Sequence, residues 1–173
     1  MPSGVAIGTL IGVCFACAWA IAGLQGIPTR WRGFVLAIAV LVSVLIGIGV
    51  IWRLRSAPAS SSIGKFDGAV YGWTVAFESI AIILTVIALR RGGRVVYIMP
   101  AIALIVGAHF FGLAYAMVGA GRIFVWVGGA MCLLAVAVMY GLARSFLSSD
   151  QGMAVTGFGC AAILWMSTVF PLI

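Results

Sequence analysis

Six apolar runs of about 20 residues divide the sequence and leave little room for any other structure. A helix of about 20 apolar residues crosses a hydrocarbon core about 30 Å thick, so each run is long enough to span a bilayer. Lipid offers no partners to backbone N–H and C=O groups, which predicts a helix for every run. The runs are Val5–Leu24, Gly33–Trp52, Ala69–Leu89, Val95–Val118, Ile123–Ala143 and Gly152–Ile173.

The composition is typical of a protein surrounded by lipid and excludes an ordinary soluble domain. Hydrophobic residues make up 65% of the chain and charged residues only 8%, whereas a soluble domain carries about 25% charged residues. The connections between the runs are short, so consecutive helices should be antiparallel neighbours. We therefore predict an all-α polytopic membrane bundle of six transmembrane helices with short loops, forming one transmembrane domain over residues 1–173.

Basic residues stand between the apolar runs, where they would meet lipid headgroups. The net charge is +7, and nine of the ten basic residues are Arg, which binds phosphate in a bidentate manner. This pattern predicts membrane lipids as partners and argues against nucleic acid. Three connections carry six basic residues and the others four, so the positive-inside rule weakly favours termini outside the cytoplasm of a bacterial inner (plasma) membrane. The even number of runs places both termini on the same side.

Few residues could support metal, cofactor or enzyme chemistry. Zinc needs three or four His, Cys or carboxylate ligands, whereas the apolar runs offer one His, one acid and four scattered cysteines. The sequence has neither a Gly-x-Ser-x-Gly elbow nor a His-x-x-Glu-His helix. We expect no metal and no cofactor, and the residues present do not favour an enzyme. No connection can hold a nucleotide-binding domain, so any energising subunit would be a separate chain.

Glu78 is the acidic residue inside an apolar run, close to the middle of the third. An acid at that depth costs on the order of 2.5–3.5 kcal/mol and marks a candidate functional site. Tyr71, Thr74 and Thr85 share its helix face at helical spacing. The polar stripe predicts either the lining of a cavity or a polar contact between helices, in which Glu78 would only hold a neighbour.

His109 is the only histidine and lies in the fourth run. Measured from the connection between the two runs, Glu78 is eleven positions from Leu89 and His109 fourteen from Val95. At 1.5 Å per residue the two depths differ by only about 4.5 Å. The pair could share a proton across adjacent helices. The alternative is a histidine bonded to a backbone carbonyl or hydroxyl, since spacing alone does not fix helix rotation.

Small residues predict where helices approach closely. Gly4, Gly8 and Gly12 begin a stripe with period four that continues through Ala16 and Ala20. Gly112 and Gly119 extend the face of His109 in the fourth run. Such small-xxx-small stripes let another backbone come near, either within the chain, which we favour, or from a second subunit.

The two halves of the chain show a short match at an offset of 95. Gly12-Val-Cys-Phe15 aligns with Gly107-Ala-His-Phe110, and Trp31 aligns with Trp126. With three helices per half, this match is compatible with a 3+3 inverted repeat, an arrangement found in many transporters. The alternative is a chance match, because apolar sequence of low complexity matches itself easily.

The segment Val106-Gly107-Ala108-His109-Phe110-Phe111-Gly112-Leu113-Ala114 resembles the Gly-x-His-Phe segment of an uncharacterised family of small bacterial six-helix membrane proteins. The resemblance covers the fourth run and an acid in the preceding run that corresponds to Glu78. Where that family has a proline two residues after the His-Phe pair, this chain has Gly112. The resemblance implies that Glu78 and His109 belong together, and it implies no activity.

Two functions fit these features. The first is a small integral membrane transporter or channel, proton-linked through Glu78 and His109, with Tyr71, Thr74 and Thr85 lining the path. A homo-oligomer is compatible with it, because one bundle of 18.0 kDa is small for a complete pathway. The second is a non-enzymatic membrane binding or assembly module, such as a ligand-capturing subunit of a larger complex.

Overall fold

The computed structural model describes residues 3–56, 67–116 and 121–169, with the side chains of 3–9 and 53–56 left aside. The described residues form helices and turns and contain no strand. Six helices follow one another along the chain, which confirms the predicted all-α class. They are α1 (Ser3–Gly23), α2 (Thr29–Ser56), α3 (Gly68–Arg91), α4 (Ile98–Ala116), α5 (Gly121–Ala143) and α6 (Ser149–Val169). Short 3₁₀ turns, Leu24–Gly26 and Val95–Tyr97, follow α1 and precede α4.

Five of the described helices are long and apolar enough to cross a bilayer, namely α2 to α6, with α4 extended by its 3₁₀ turn. The described apolar part of α1, Leu10–Gly26, is shorter. The predicted ends at Val118 and Ile173 lie outside the described residues. A membrane-embedded helical bundle is therefore the architecture of this chain.

The bundle has a packed centre and an outer helix, α3. Among the described elements, α6 contacts α1, α2, α4 and α5, while α4 contacts α3, α5 and α6. The centre of the bundle is packed with fully buried side chains, among them Met131, Val138, Thr156 and Cys160. By contrast, α3 touches α4 and the 3₁₀ turn before it, and no other described element. No residue of α3 is fully buried.

The α1–α6 interface is closed by small residues. A Cβ placed on Gly157 would lie 2.7 Å from the carbonyl oxygen of Trp19 and still closer to the backbone of Gly23. One to two turns earlier on α1, Ala16 and Ala20 are fully buried, and a Cβ on Gly12 would lie 3.2 Å from Thr168 of α6. The described part of the predicted α1 stripe therefore faces α6 of the same chain. Gly4, Gly8 and Gly119 lie outside the residues whose surroundings are described.

The α4–α5 interface is equally close. A Cβ on Gly107 would lie 2.8 Å from Sγ of Cys132, and one on Gly128 would lie 2.7 Å from the carbonyl oxygen of Gly107. The Cys132 thiol lies 3.7 Å from the carbonyl oxygen of Leu104 and donates to it. Cys132 is thus a small side chain that fits between two closely spaced backbones.

Local signals fix the ends of the helices. Asp67 caps α3, its Oδ1 accepting from the N–H groups of Ala69 and Val70 at 3.0 and 3.1 Å. Ser148 and Gln151 form a reciprocal capping box at the start of α6. A Schellman motif ends α3 at Gly93, whose φ is +67°, with the N–H of Arg94 donating to Leu89 at 2.8 Å.

The same motif ends α5, but Ser145 occupies its left-handed position, with φ +58°. There the N–H of Phe146 donates to the carbonyl oxygen of Gly141 at 2.8 Å. A residue with a Cβ is strained in this region, where glycine is the usual choice.

Some predicted boundaries move. We expected Arg30 and Arg32 in a loop, but α2 begins at Thr29 and contains both. Arg32 turns back and donates to the carbonyl oxygens of Ile27 and Gln25, at 3.1 and 3.2 Å. The described helices do not show the predicted 3+3 repeat: α5 and α6 pack together, whereas the corresponding α2 and α3 do not touch.

Candidate functional site

A carboxylate and an imidazole meet between α3 and α4, near the middle of each helix. Nδ1 of His109 lies 2.8 Å from Oε2 of Glu78. The side chain of His109 keeps 10% of its exposure and that of Glu78 keeps 18%. The structure thus brings together the two residues that the sequence placed at similar depth.

The two groups touch without a well-aligned hydrogen bond. Nδ1 of His109 is fully buried and has no partner that satisfies hydrogen-bond geometry, although Oε2 lies within reach. The pair is therefore defined by the distance between the two atoms. Such a contact can hold one proton on the carboxyl or on the ring, and transfer it between them.

Aromatic rings enclose the imidazole on the α5 side. The ring of Phe110 meets that of His109 edge-on, with centroids 5.9 Å apart. Phe110 in turn stacks on Phe124 of α5 at 6.0 Å. His109 therefore has an apolar wall on one side and Glu78 on the other.

One turn from the pair, Gly112 and Thr74 bring α3 and α4 together. A Cβ on Gly112 would lie 2.6 Å from Cγ2 and 3.0 Å from Oγ1 of Thr74. The Thr74 hydroxyl donates to the carbonyl oxygen of Val70 at 2.7 Å, so its methyl group faces α4. Gly112 thus sets the separation of the two helices at the pair. Its closeness explains why glycine, predicted for packing, occupies this position.

The other two residues of the predicted stripe are less closely involved. Thr85 is half-buried on the same face of α3, two turns beyond Glu78. Tyr71 is 36% exposed, and its backbone N–H donates to the carbonyl oxygen of Asp67. The structure therefore groups Glu78, His109 and Thr74, leaving Tyr71 and Thr85 toward the two ends of the helix.

Sequence analysis missed a second polar contact, which joins α2 to α6. Nε1 of Trp165 donates to Oγ of Ser43 at 3.2 Å, and Ser43 is 9% exposed. The only signal for it was a serine within the apolar run of α2. Interhelical hydrogen bonds of this kind hold helices together in lipid.

Within the part of the chain that the structure describes, no group of three His, Cys, Asp or Glu residues could hold a metal ion. Comparison with known proteins adds no relative: no protein family model, curated protein or solved structure matches the chain.

Proposed function

We propose that this protein is a small integral membrane transporter or channel of a bacterial inner membrane that moves protons, alone or with a solute. In this proposal Glu78 and His109 form the site that transiently binds the transported proton. The observation that carries it is the 2.8 Å contact between Nδ1 and Oε2 at mid-helix depth. Ionisable groups at such depth belong to ion pathways and proton relays in many membrane proteins.

The proposal is supported by what surrounds the pair. A purely structural polar contact would be best served by complete burial and aligned hydrogen bonds. Here Glu78 keeps 18% exposure, and Nδ1 of His109 has no aligned partner. The first feature leaves the carboxyl partly accessible, and the second means that no aligned hydrogen bond at Nδ1 has to break before a proton moves. Thr74 and Thr85 continue the polar face of α3 on either side of the carboxyl.

The limited packing of α3 supports the proposal that this helix can move relative to α4. Because α3 rests on α4 alone among the described helices, a change of charge at Glu78 or His109 acts on one helix–helix interface. We propose that proton transfer at the pair changes the spacing of α3 and α4. In a homo-oligomer, the apolar outer face of α3 would pack against a second copy, while Glu78 and Thr74 line the path on the other face.

A flux measurement tests this function without knowledge of a solute. The protein is reconstituted into liposomes that contain a pH-sensitive dye, and a potassium gradient with valinomycin drives protons inward. We expect proton entry above that of empty liposomes, lost in Glu78→Gln and reduced in His109→Gln. Asp150→Asn is the matched control, because this exposed acid in the first turn of α6 lies outside the pair. Absence of proton entry with the folded wild type, or equal flux in Glu78→Gln, would contradict the proposal.

A non-enzymatic binding or assembly module is the second candidate, and one observation favours it. α3 has no fully buried residue, and its outer face carries large exposed side chains such as Trp73, Phe77 and Ile80. The pair would then fix the orientation of α3 so that it presents this face to a partner subunit. In that case liposomes with Glu78→Gln and liposomes with the wild type would show the same proton entry, and Glu78→Gln would weaken co-purification of the partner.

A further inference from the structure

A shallow groove opens between the end of α4 and the start of α5. Its volume is about 720 Å³, and it is lined by Ala114, Tyr115, Gly121, Arg122, Val125 and Trp126. This size lies within the range of roughly 300–1,000 Å³ that small-molecule sites occupy. The walls are mainly apolar, and Arg122 is the one charged residue among the lining residues described.

The order of side chains along the groove follows the layers of a bilayer. Arg122 stands in the first turn of α5 and Trp126 lies one turn further toward the membrane centre. Tyr115 is 79% exposed and Trp126 78% exposed. Tyr and Trp concentrate where headgroups meet acyl chains. The groove therefore offers a cation at headgroup depth and an aromatic and aliphatic surface below it.

The charge of Arg122 is not neutralised within the described part of the protein. The ion pair found there joins His109 to Glu78, not Arg122 to an acid. Asp67 is brought near this end of the bundle by the bond of its N–H to the carbonyl oxygen of Ala116 at 3.1 Å. Its carboxylate, however, accepts the backbone N–H groups that cap α3. The groove thus carries a positive charge that an anionic ligand would complement.

We propose that this groove binds an anionic phospholipid, with the phosphate on the guanidinium of Arg122 and an acyl chain against Val125 and Trp126. An arginine presents several N–H donors that match phosphate oxygens. An apolar protein segment would suit the walls of the groove but would leave Arg122 without a counter-charge. The proposal concerns a surface that neither Glu78 nor His109 lines, and it does not depend on the proposed function.

Arg144 supplies a matched control at the other end of α5. Its guanidinium lies 5.5 Å from the centroid of the Tyr140 ring, so it is also an arginine beside an aromatic residue at a helix end. It does not line the groove. Arg122→Gln and Arg144→Gln remove the same charge from the protein. A difference between them therefore reports the groove and not the net charge.

Native mass spectrometry of the detergent-purified protein tests the proposal with two lipids of identical chains, phosphatidylglycerol and phosphatidylcholine. We expect the wild type and Arg144→Gln to retain phosphatidylglycerol about tenfold better than phosphatidylcholine, and Arg122→Gln to lose this preference. Trp126→Ala should weaken the binding of both lipids, because it removes chain contacts. Arg122 and Trp126 are exposed, so these variants should fold, which size-exclusion chromatography verifies.

Three results would overturn the proposal. The first is equal retention of the two lipids by the wild type. The second is an equal loss of preference in Arg122→Gln and Arg144→Gln, which would assign the effect to net charge. The third comes from a photoreactive residue placed at Val125 in liposomes: cross-linking to a second copy of the chain instead of to phosphatidylglycerol would show that protein fills the groove.

Discussion

The α1–α6 and α3–α4 interfaces both use glycine for close approach, yet their surroundings differ. At the α1–α6 interface, Gly157 meets the backbone of Gly23, and the neighbouring Ala16 and Ala20 have no exposure. At the α3–α4 interface, Gly112 meets a side chain, Thr74, and an ionisable pair lies one turn away. The first interface is dry and closed by backbone. Among the described helices, the second joins α3 to α4 alone, and it contains ionisable groups.

The strongest test of the comparison is Gly157→Ala. The new methyl group would overlap the backbone of α1, which cannot move without separating two helices. We expect a loss of about 3 kcal/mol in the free energy of unfolding, measured by unfolding in detergent. Gly129→Ala is the control, since a Cβ at Gly129 meets nothing within 4 Å. Similar stability of the two variants would show that the α1–α6 interface at Gly157 tolerates a methyl group as well as the open position at Gly129 does.

Gly112→Ala applies the same change to the other interface, with a smaller expected effect. The methyl group would meet Cγ2 of Thr74, a side-chain atom that can shift. We expect a loss of about 1.5 kcal/mol in the free energy of unfolding, together with reduced proton flux in liposomes.

The double variant Gly112→Ala/Thr74→Ala sharpens this test, because it removes both Cγ2 and Oγ1 of Thr74 from the contact. It should recover most of the lost stability. If it recovers none, the contact of Gly112 with Thr74 does not set the spacing of α3 and α4.

A double-mutant cycle measures the pair itself. Glu78→Gln, His109→Gln and the combined variant should give a coupling of about 1 kcal/mol, typical of polar contacts between membrane helices. The coupling is read from unfolding in detergent. A value near zero would mean that the 2.8 Å contact does not stabilise the α3–α4 interface, although it could still carry protons.

Ser145 provides a reference outside both interfaces. Its φ of +58° is costly for a residue with a Cβ, so Ser145→Gly should raise stability by about 0.5 kcal/mol. The reciprocal change, Gly93→Ser at φ +67°, should lower it. Thermal unfolding of both variants in detergent supplies the scale on which the interface effects are judged. A loss of stability in Ser145→Gly, or a gain in Gly93→Ser, would contradict the argument from backbone strain.

Sequence reasoning predicted the helices because apolar length alone determines which segments can cross a bilayer. It was less accurate at the ends of the helices, because hydrogen bonds from side chains determine the residue at which a helix begins. Arg32 was expected in a loop, but its guanidinium binds the carbonyl oxygens that precede α2, and the helix begins before it. The start of α6 was placed too late, although Ser148 and Gln151 form a capping box that could have been recognised in the sequence.

The candidate site illustrates what periodicity cannot supply. Matching depth suggested that Glu78 and His109 could pair, but only coordinates give the rotation of each helix about its axis. The same rotation decides that Gly107 faces α5 while Gly112 faces α3. The resemblance to a family with a Gly-x-His-Phe segment stays a prediction.

Among the described helices, α3 packs against α4 alone, and this has a consequence for biosynthesis. Chains leave the ribosome from the N-terminus, so α3 reaches the translocon before α4, the helix that holds it. If α3 entered the bilayer at that point, Glu78 would lie in lipid without His109 beside it, at a cost on the order of 2.5–3.5 kcal/mol. The tight turn at Gly92 and Gly93 then delivers His109 beside it. Insertion of α3 and α4 together as a helical hairpin, with α3 retained until α4 has been translated, avoids the cost of placing the Glu78 carboxyl in lipid without His109.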